Sequence, residues 1–172
     1  CDSYRSNAVV PLDDKFSAIL FNNVQAVNRY YHKRELLKKN FKKWFSLKNG
    51  IVNNLLNFAL LPWRDFTGFY DPHLPNSFKK SEFKNMYELE KEAFDTTSSH
   101  RFRSESDINQ YLIRYSHLAS GEFTPRKASF GKNFIITDDN TELLNAITKS
   151  KYYMICCNDT GKYSDFEKSK AE

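Results

Sequence analysis

The 172-residue chain carries 26 Lys and Arg against 21 Asp and Glu, which gives a formal net charge of +5, and 16% of its residues are aromatic. This composition excludes a disordered chain, and the length suits one domain or part of a larger one. A basic surface attracts nucleic acid, anionic lipid or phosphorylated small molecules, although solubility alone also explains it.

The three cysteines, Cys1, Cys156 and Cys157, lack the spacing of a disulfide framework, which favours a reducing compartment. No CxxC or CxxH pair indicates zinc, and no segment approaches the roughly 20 apolar residues that span a bilayer. The chain has neither a signal peptide nor an initiator Met. We therefore expect a piece of a longer cytoplasmic protein, located in the cytoplasm at large or at the inner face of the membrane.

The first half of the chain has the apolar spacing of three helices, over residues 16–31, 33–48 and 51–61. The second of these helices has a lysine-rich back. Such a helix could touch nucleic acid or a membrane surface, and a solvated helix face is the commoner explanation. A nucleic-acid role is not expected.

The second half mixes helices with short strands. The predicted elements are helices over 78–94, from Ser104 to Gly121 and over 141–148, strands over 133–137 and 151–157, and the start of a helix over 164–172. Ser104 and Asp107 resemble a capping box, and Asp138 or Asp139 would cap the short helix. The apolar run containing Cys156 and Cys157 predicts a buried strand. The expected fold is α/β, mostly helical, with a few strands that complete a sheet begun upstream.

An aromatic-rich loop over residues 62–75 ends in Asp71-Pro72-His73-Leu74-Pro75. The two prolines stiffen the turn, and a rigid loop can hold His73 as a general base, with Asp71 orienting its ring. Histidine exchanges protons near neutral pH. A structural histidine in a tight turn explains the same spacing and is favoured by spacing alone.

Two further segments could bind a phosphate or a metal. In His100-Arg101-Phe102-Arg103, placed before a predicted helix start, the arginines could grip phosphate, although a solvated basic loop fits equally well. Asn158-Asp159 follows a predicted strand, where ligands collect in α/β sheets, although a turn is the commoner explanation. Asp138-Asp139-Asn140 lacks the full calcium-loop pattern.

Several of these segments recur together in a known family. DPHLP, DTTSSHRFRSESDINQYL and YYMICCNDT resemble, in this order, the third and fourth homology regions of the Stealth family. FNNVQAVNRYY and LLPWRDFTGFYDPHLP resemble the segment before those regions in bacterial members. The resemblance covers roughly residues 16–172. A eukaryotic relative, the N-acetylglucosamine-1-phosphotransferase of lysosomal enzyme tagging, has a His-x-Pro turn and an Arg that match His73 and Arg103.

The resemblance implies transfer of a sugar-1-phosphate from a nucleotide-sugar, a UDP-sugar in the first instance, to a glycan hydroxyl in capsular or cell-surface polysaccharide synthesis. A phosphodiester forms and a nucleoside monophosphate leaves. His73 is then the candidate general base and Arg103 the candidate phosphate clamp. The further candidates for substrate or phosphate binding are His100, Arg101, Asn158 and Asp159, with Asp71 as the orienting residue.

The family's first two regions, with a Trp-Val-Asp-Gly-type strand end and an Asp-rich stretch, do not occur in the chain. We therefore expect residues 1–172 to be the C-terminal portion of one catalytic domain, inactive alone. The ligands of a Mg²⁺ or Mn²⁺ ion, if the reaction uses one, would lie mostly outside it. The expected partners are the donor, a glycan acceptor that is lipid-linked or free, the missing N-terminal part and, peripherally, a membrane.

Two other functions stay open from the residues alone. A non-catalytic basic module that binds a polyanion, either nucleic acid or an anionic membrane surface, fits the charge of +5. A structural domain that supports a partner is the third alternative. In that case His73 and Arg103 would lie far apart.

Overall fold

The computed structural model describes residues 14–161 and Ser164, and these form two compact units. Unit 1 contains the chain up to Tyr70 together with residues 76–126. Unit 2 contains residues 71–75 and the chain from Lys127 onward. The helix expected over 164–172 lies outside the described residues apart from Ser164.

Unit 1 is helical. Its helices are α1 (Lys15–Tyr30), α2 (Lys33–Trp44), α3 (Ile51–Ala59), α4 (Lys80–Leu89), α5 (Lys91–Ser99) and α6 (Tyr111–Ser120), with a 3-10 turn at Leu47–Asn49. The first three confirm the helices predicted from apolar spacing. Helix α6 lies at the centre, buried along most of its length, and packs against α1, α2 and α4.

Helix α1 shows how sequence sets the element. The Asp14 carboxylate accepts a 2.7 Å hydrogen bond from the Ser17 N–H and so caps the first turn. Ile19, Val24 and Val27 then fall on one buried face, as their spacing predicts.

The core of unit 1 is aromatic. Ring centroids are 5.8 Å apart for Trp44 and Phe66, 5.2 Å for Phe66 and Phe69, and 4.7 Å for Phe69 and Tyr115. All four side chains are buried. Phe66 and Phe69 of the 62–75 loop therefore pack the core, while Trp63 and Tyr70 are exposed, as are Arg64 and Asp65.

The prediction of one helix over 78–94 is wrong. Two helices, α4 and α5, are separated at Glu90, whose backbone is non-helical at φ −119° and ψ 33°. The nearly buried Glu90 carboxylate pairs with both Nε and Nη2 of Arg29, at 2.9 and 2.7 Å. This bidentate ion pair connects the α4–α5 junction to α1. The apolar spacing of residues 78–94 contains no information about this distant contact.

Unit 2 contains a small βαβ arrangement. Strands β1 (Gly131–Ile135) and β2 (Met154–Asn158) are parallel, with Gly131 opposite Met154 and Ile135 opposite Asn158. Helix α7 (Thr141–Thr148) makes the crossover that parallel strands need, and its buried Leu143 and Ala146 pack with Phe134. The observed mostly helical α/β fold confirms the predicted class.

Two local predictions in unit 2 are corrected by the structure. The predicted cap of α7 at Asp138 or Asp139 is wrong by one residue, because the N-cap is Asn140. Asp139 Oδ1 still accepts a 3.0 Å hydrogen bond from the Thr141 N–H in the first turn. The expected burial of Cys156 and Cys157 is wrong, since Cys156 is half-buried and Cys157 exposed, both as free thiols. Among the described residues β2 pairs only with β1, so one edge of β2 stays uncovered.

Within the described residues, no helix combines the length and the apolar character that a membrane crossing requires.

Candidate active site

His73 stands on a loop that is anchored to the sheet of unit 2. The neighbouring Leu74 is buried and lies against the first residue of β1, Gly131. A Cβ added at Gly131 would come within 2.8 Å of both the Leu74 Cδ1 and the Met154 carbonyl oxygen. The glycine therefore lets the loop approach the strands closely, which fixes the backbone beside His73.

His73 itself has a left-handed backbone, with φ of 50°, and an exposed side chain. This conformation is uncommon outside glycine, although histidine tolerates it better than most residues. Pro72 before it and Leu74 after it hold the turn in place. Within the same loop Asp71 is partly buried. The imidazole is thus exposed on a backbone that is fixed from both sides, as a general base requires.

Arg103 belongs to unit 1, in the connection between α5 and α6. Its guanidinium carbon lies 5.3 Å from the centroid of the Phe16 ring, and its side chain is exposed. The Asp14 carboxylate lies near enough that Arg103 adds to the hydrogen bonds from Ser17 in lowering the Asp14 pKa. A guanidinium that rests on a ring face can still bind a phosphate with its N–H groups.

The sequence prediction placed Arg103 at a helix N-terminus, and this prediction is wrong. The helix expected near Ser104 begins at Tyr111, eight residues after Arg103. Residues 104–107 form a turn instead, in which the Asp107 Oδ2 accepts the Ser104 N–H at 2.8 Å. Any phosphate at Arg103 would therefore be held by side chains and loop backbone, without a helix dipole.

His100 and Asp107 tie the loop together. The His100 Nδ1 lies 2.6 Å from the Asp107 Oδ1, and the Asp107 side chain is nearly buried. Burial alone would raise the pKa of Asp107, but the Ser104 N–H and His100 outweigh it and hold that pKa below its usual value. With Nδ1 engaged, His100 presents only its other nitrogen to a substrate.

Two asparagines of α1 are hydrogen-bonded to the segment between α5 and α6. The Asn22 Nδ2 donates to the carbonyls of Glu105 and Asp107, at 2.7 and 2.9 Å. The Asn23 amide exchanges two hydrogen bonds with Asn109, at 2.7 and 3.3 Å. Sequence reasoning missed Asn22 and Asn23, whereas it paired Asp107 with Ser104 as a capping box, and the Ser104 N–H does donate to Asp107. The signal was present in the FNNVQAVNRYY segment, which places amides among apolar helix positions.

Arg101 has a different setting from Arg103. Its guanidinium carbon lies 5.4 Å from the ring centroid of its own neighbour Phe102, and both side chains are exposed. Among the described residues Arg101 therefore rests on the adjacent Phe102, whereas Arg103 rests on a ring from α1. Of the two arginines, Arg103 is the better positioned.

Asn158 and Asp159 lie at the C-terminal end of β2. Asp159 Oδ1 accepts the Gly161 N–H at 3.0 Å, which closes a turn. Leu74 contacts the opposite end of the sheet, beside Gly131 and Met154, and a five-residue strand is roughly 13 Å from first to last Cα. Unit 2 thus places His73 and the Asn158-Asp159 pair toward different ends of its strands.

The residues that the structure describes contain no group of three or more His, Cys, Asp or Glu side chains that could hold a metal ion.

Comparison with known proteins identifies the segment that carries both candidates. The family profile described as "Stealth protein CR3, conserved region 3" matches residues 72–120, which include His73 and Arg103. The expected third homology region is thereby confirmed, and the fourth stays a prediction. No solved structure matches the chain.

Curated bacterial proteins are similar over most of the chain. The capsular polysaccharide phosphotransferase WcwK of Streptococcus pneumoniae is 41% identical over 162 residues, 94% of this chain and 48% of that protein. The exopolysaccharide phosphotransferase cps2G of Lactiplantibacillus plantarum is 38% identical over 158 residues, 92% of this chain and 46% of that protein. The receptor polysaccharide phosphotransferase WefC of Streptococcus gordonii is 30% identical over 146 residues, 85% and 43% respectively.

The chain therefore spans about half the length of the curated relatives that it matches. The conserved region and these similarities lead to one assignment. The chain belongs to the Stealth family.

Proposed function

We propose that the full-length protein is a hexose-1-phosphate transferase of polysaccharide synthesis. It takes a sugar-1-phosphate from a nucleotide-sugar, a UDP-sugar in the first instance, and attaches it to a hydroxyl of an acceptor glycan. The observation that carries the proposal is the match of residues 72–120 to conserved region 3, with both candidate residues inside it. The three relatives named above are all polysaccharide phosphotransferases, which agrees with it.

The bonds in this reaction balance without a further reactant. The acceptor oxygen attacks the phosphorus next to the sugar, and the bond from this phosphorus to the bridging oxygen breaks. The hydroxyl proton goes to the His73 imidazole, and the bridging oxygen leaves on the nucleoside monophosphate. The sugar keeps its own bond to oxygen, so its anomeric configuration is retained.

The two residues suit different parts of this step. Phosphoryl transfer depends mainly on positioning and on stabilising the charge of the phosphoryl oxygens. The exposed Arg103 guanidinium can bind two such oxygens in parallel. His73, on its fixed turn, receives the proton. Asn22 and Asn23 act through the loop that carries Arg103.

Residues 1–172 form, in this proposal, the C-terminal portion of one catalytic domain. The remaining donor contacts, and the ligands of any divalent cation, lie elsewhere in the full-length protein. This chain alone is accordingly expected to be inactive.

The test is the nucleotide product. The full-length protein is incubated with a panel of UDP-sugars and the acceptor polysaccharide, and the released nucleotide is separated chromatographically. Release of UMP supports the proposal. Release of UDP identifies an ordinary glycosyltransferase and overturns it.

A further inference from the structure

Helix α3 and the turn before it present their apolar side chains to solvent. Leu47 is 94% exposed and Ile51 80% exposed. The apolar residues of this segment that are more than half exposed, called the apolar face, are Leu47, Ile51, Val52, Leu55, Phe58 and Trp63. Contiguous apolar surface of this kind marks an interaction site.

The buried side of α3 is polar, which reverses the usual pattern. At about 100° per residue, Ile51, Val52, Leu55 and Phe58 share an arc of about 120°. Asn53 and Asn57 lie opposite this arc, and Asn54 lies at its edge. The Asn54 Nδ2 donates to the Ser46 carbonyl at 3.0 Å, and Asn57 is 1% exposed. Hydrogen bonds from asparagine, in place of apolar burial, hold this helix to unit 1.

Both ends of α3 are fixed in this orientation. Before the helix, the Asn49 Nδ2 donates to the Trp44 carbonyl at 2.8 Å. After the helix, the buried Lys33 ammonium donates to the Leu60 carbonyl, and burial lowers the pKa of Lys33. A charged group at a helix C-terminus adds a favourable dipole contact. The outward direction of the apolar face is therefore built into the fold.

The chain just before the apolar face is strongly basic. Residues 33–48 contain seven Lys and Arg and one Glu, a net charge of +6 against +5 for the whole chain. The exposed cations of this segment that form no ion pair with a described carboxylate are Arg34, Lys38, Lys39, Lys42 and Lys48. Lys48 lies between Leu47 and Ile51 in sequence, so charge and apolar surface adjoin.

We propose that the apolar face and these cations dock the protein on an anionic lipid bilayer. The helix, roughly 13 Å long, would lie in the plane of the interface with its apolar side chains below the headgroups. Lysines beside it would contact anionic headgroups, and Trp63 would sit at the headgroup level, where indole rings are favoured. Charge complementarity favours an anionic lipid surface, because none of these cations pairs with a carboxylate of the described residues and the segment has a net charge of +6.

The experiment is flotation of the full-length protein with vesicles of phosphatidylglycerol and phosphatidylcholine, against vesicles of phosphatidylcholine alone. We expect binding to the anionic vesicles that weakens as salt is raised. The variant I51Q/L55Q/F58Q should bind at least about tenfold more weakly, because three partly inserted apolar side chains are lost. These side chains are exposed, so circular dichroism should show the variant folded.

Matched control variants distinguish binding by the apolar face from non-specific hydrophobic binding. The variant L144Q/I147Q removes exposed apolar side chains of α7 and should bind like the wild type. The variant K38Q/K39Q/K42Q should lose the preference for anionic vesicles.

Two results would overturn the proposal. One is absence of flotation at low salt, or equal flotation of the wild type and I51Q/L55Q/F58Q. The other is resistance of the thiol introduced by L55C to a water-soluble maleimide in the lipid-free full-length protein, which would show that protein already covers the face. The labelled position is identified by peptide mass mapping, because Cys157 is also an exposed thiol.

Discussion

The two oxygens of the Asp107 carboxylate have different partners. Oδ1 lies 2.6 Å from the His100 Nδ1, and Oδ2 accepts a 2.8 Å hydrogen bond from the Ser104 N–H. This arrangement replaces the predicted first turn of α6 and shapes the loop that carries Arg103. It predicts that D107N loosens the loop and destabilises the protein by about 1–2 kcal/mol. Urea unfolding measures this, and an unchanged midpoint would contradict it.

The same residue predicts an acid dependence. The folded-state pKa of Asp107 is below its usual value, so its stabilising contribution is complete above the usual carboxyl pKa and is lost as pH falls through the folded value. The free energy of unfolding of the wild type should fall more steeply below about pH 4 than that of D107N. Parallel curves for the two proteins would show that Asp107 contributes nothing to acid sensitivity.

His117 of α6 predicts a second pH effect. Its buried Nε2 has no hydrogen-bond partner in the part of the chain that the structure describes, and its side chain lines a cavity of about 200 Å³ with Arg114 and Lys79. Burial lowers its pKa, with Lys79 acting in the same direction and Glu82 and Glu122 opposing.

A lowered histidine pKa means that the unfolded chain takes up a proton before the folded one. Stability should therefore fall as pH drops below about 6.5, until the folded-state value is reached. Replacement by glutamine, H117Q, should flatten this part of the curve, and H32Q, at an exposed position of unit 1, serves as the control. Equal slopes for H117Q and the wild type would count against the assignment.

Substitutions of His73 should affect stability and transfer activity differently. Its backbone at φ 50° suits glycine or asparagine and strains a β-branched residue. H73G and H73N should fold as well as the wild type, whereas H73V should lose about 1–2 kcal/mol. All three should lose transfer at least about a hundredfold, the lower range for a general base. Near wild-type transfer by the stable H73N would remove His73 from the mechanism.

Arg103 predicts a shape requirement as well as a charge requirement. R103A should lower transfer at least about a hundredfold, and R103K should recover only part of it because lysine lacks the paired N–H geometry. R101A is the matched control, since Arg101 rests on its neighbour Phe102. Full activity in R103K would show that only the positive charge of Arg103 matters. Equal losses of transfer in R101A and R103A would contradict the assignment of phosphate binding to Arg103 in particular.

Local signals explain which elements the sequence predicted correctly. Helix α7 is bounded by an Asp139 hydrogen bond two residues away and buries Leu143 and Ala146, three apart, so its sequence contains what defines it. The break at Glu90 depends on Arg29, which lies 61 residues earlier, and the start of α6 depends on loop contacts from Asn22, up to 85 residues away. A prediction from apolar spacing continues a helix through such points, because the spacing depends only on neighbouring residues and not on distant contacts.

The candidate residues were predictable for a different reason. His73 and Arg103 came from motif resemblance, whereas the supporting residues did not. Asn22 and Asn23 looked like polar positions of an amphipathic helix, and Asp107 like a capping residue. Their roles depend on backbone groups of a loop far along the chain.

The most direct test of the central proposal follows the phosphorus atom that is bonded to the sugar. The full-length protein is supplied with a UDP-sugar labelled at this phosphorus, together with acceptor polysaccharide. We predict that the label enters the polysaccharide as a phosphodiester while unlabelled UMP is released, and that H73N and R103A lose both products. Label recovered entirely in UDP, with unlabelled sugar in the polysaccharide, would contradict it.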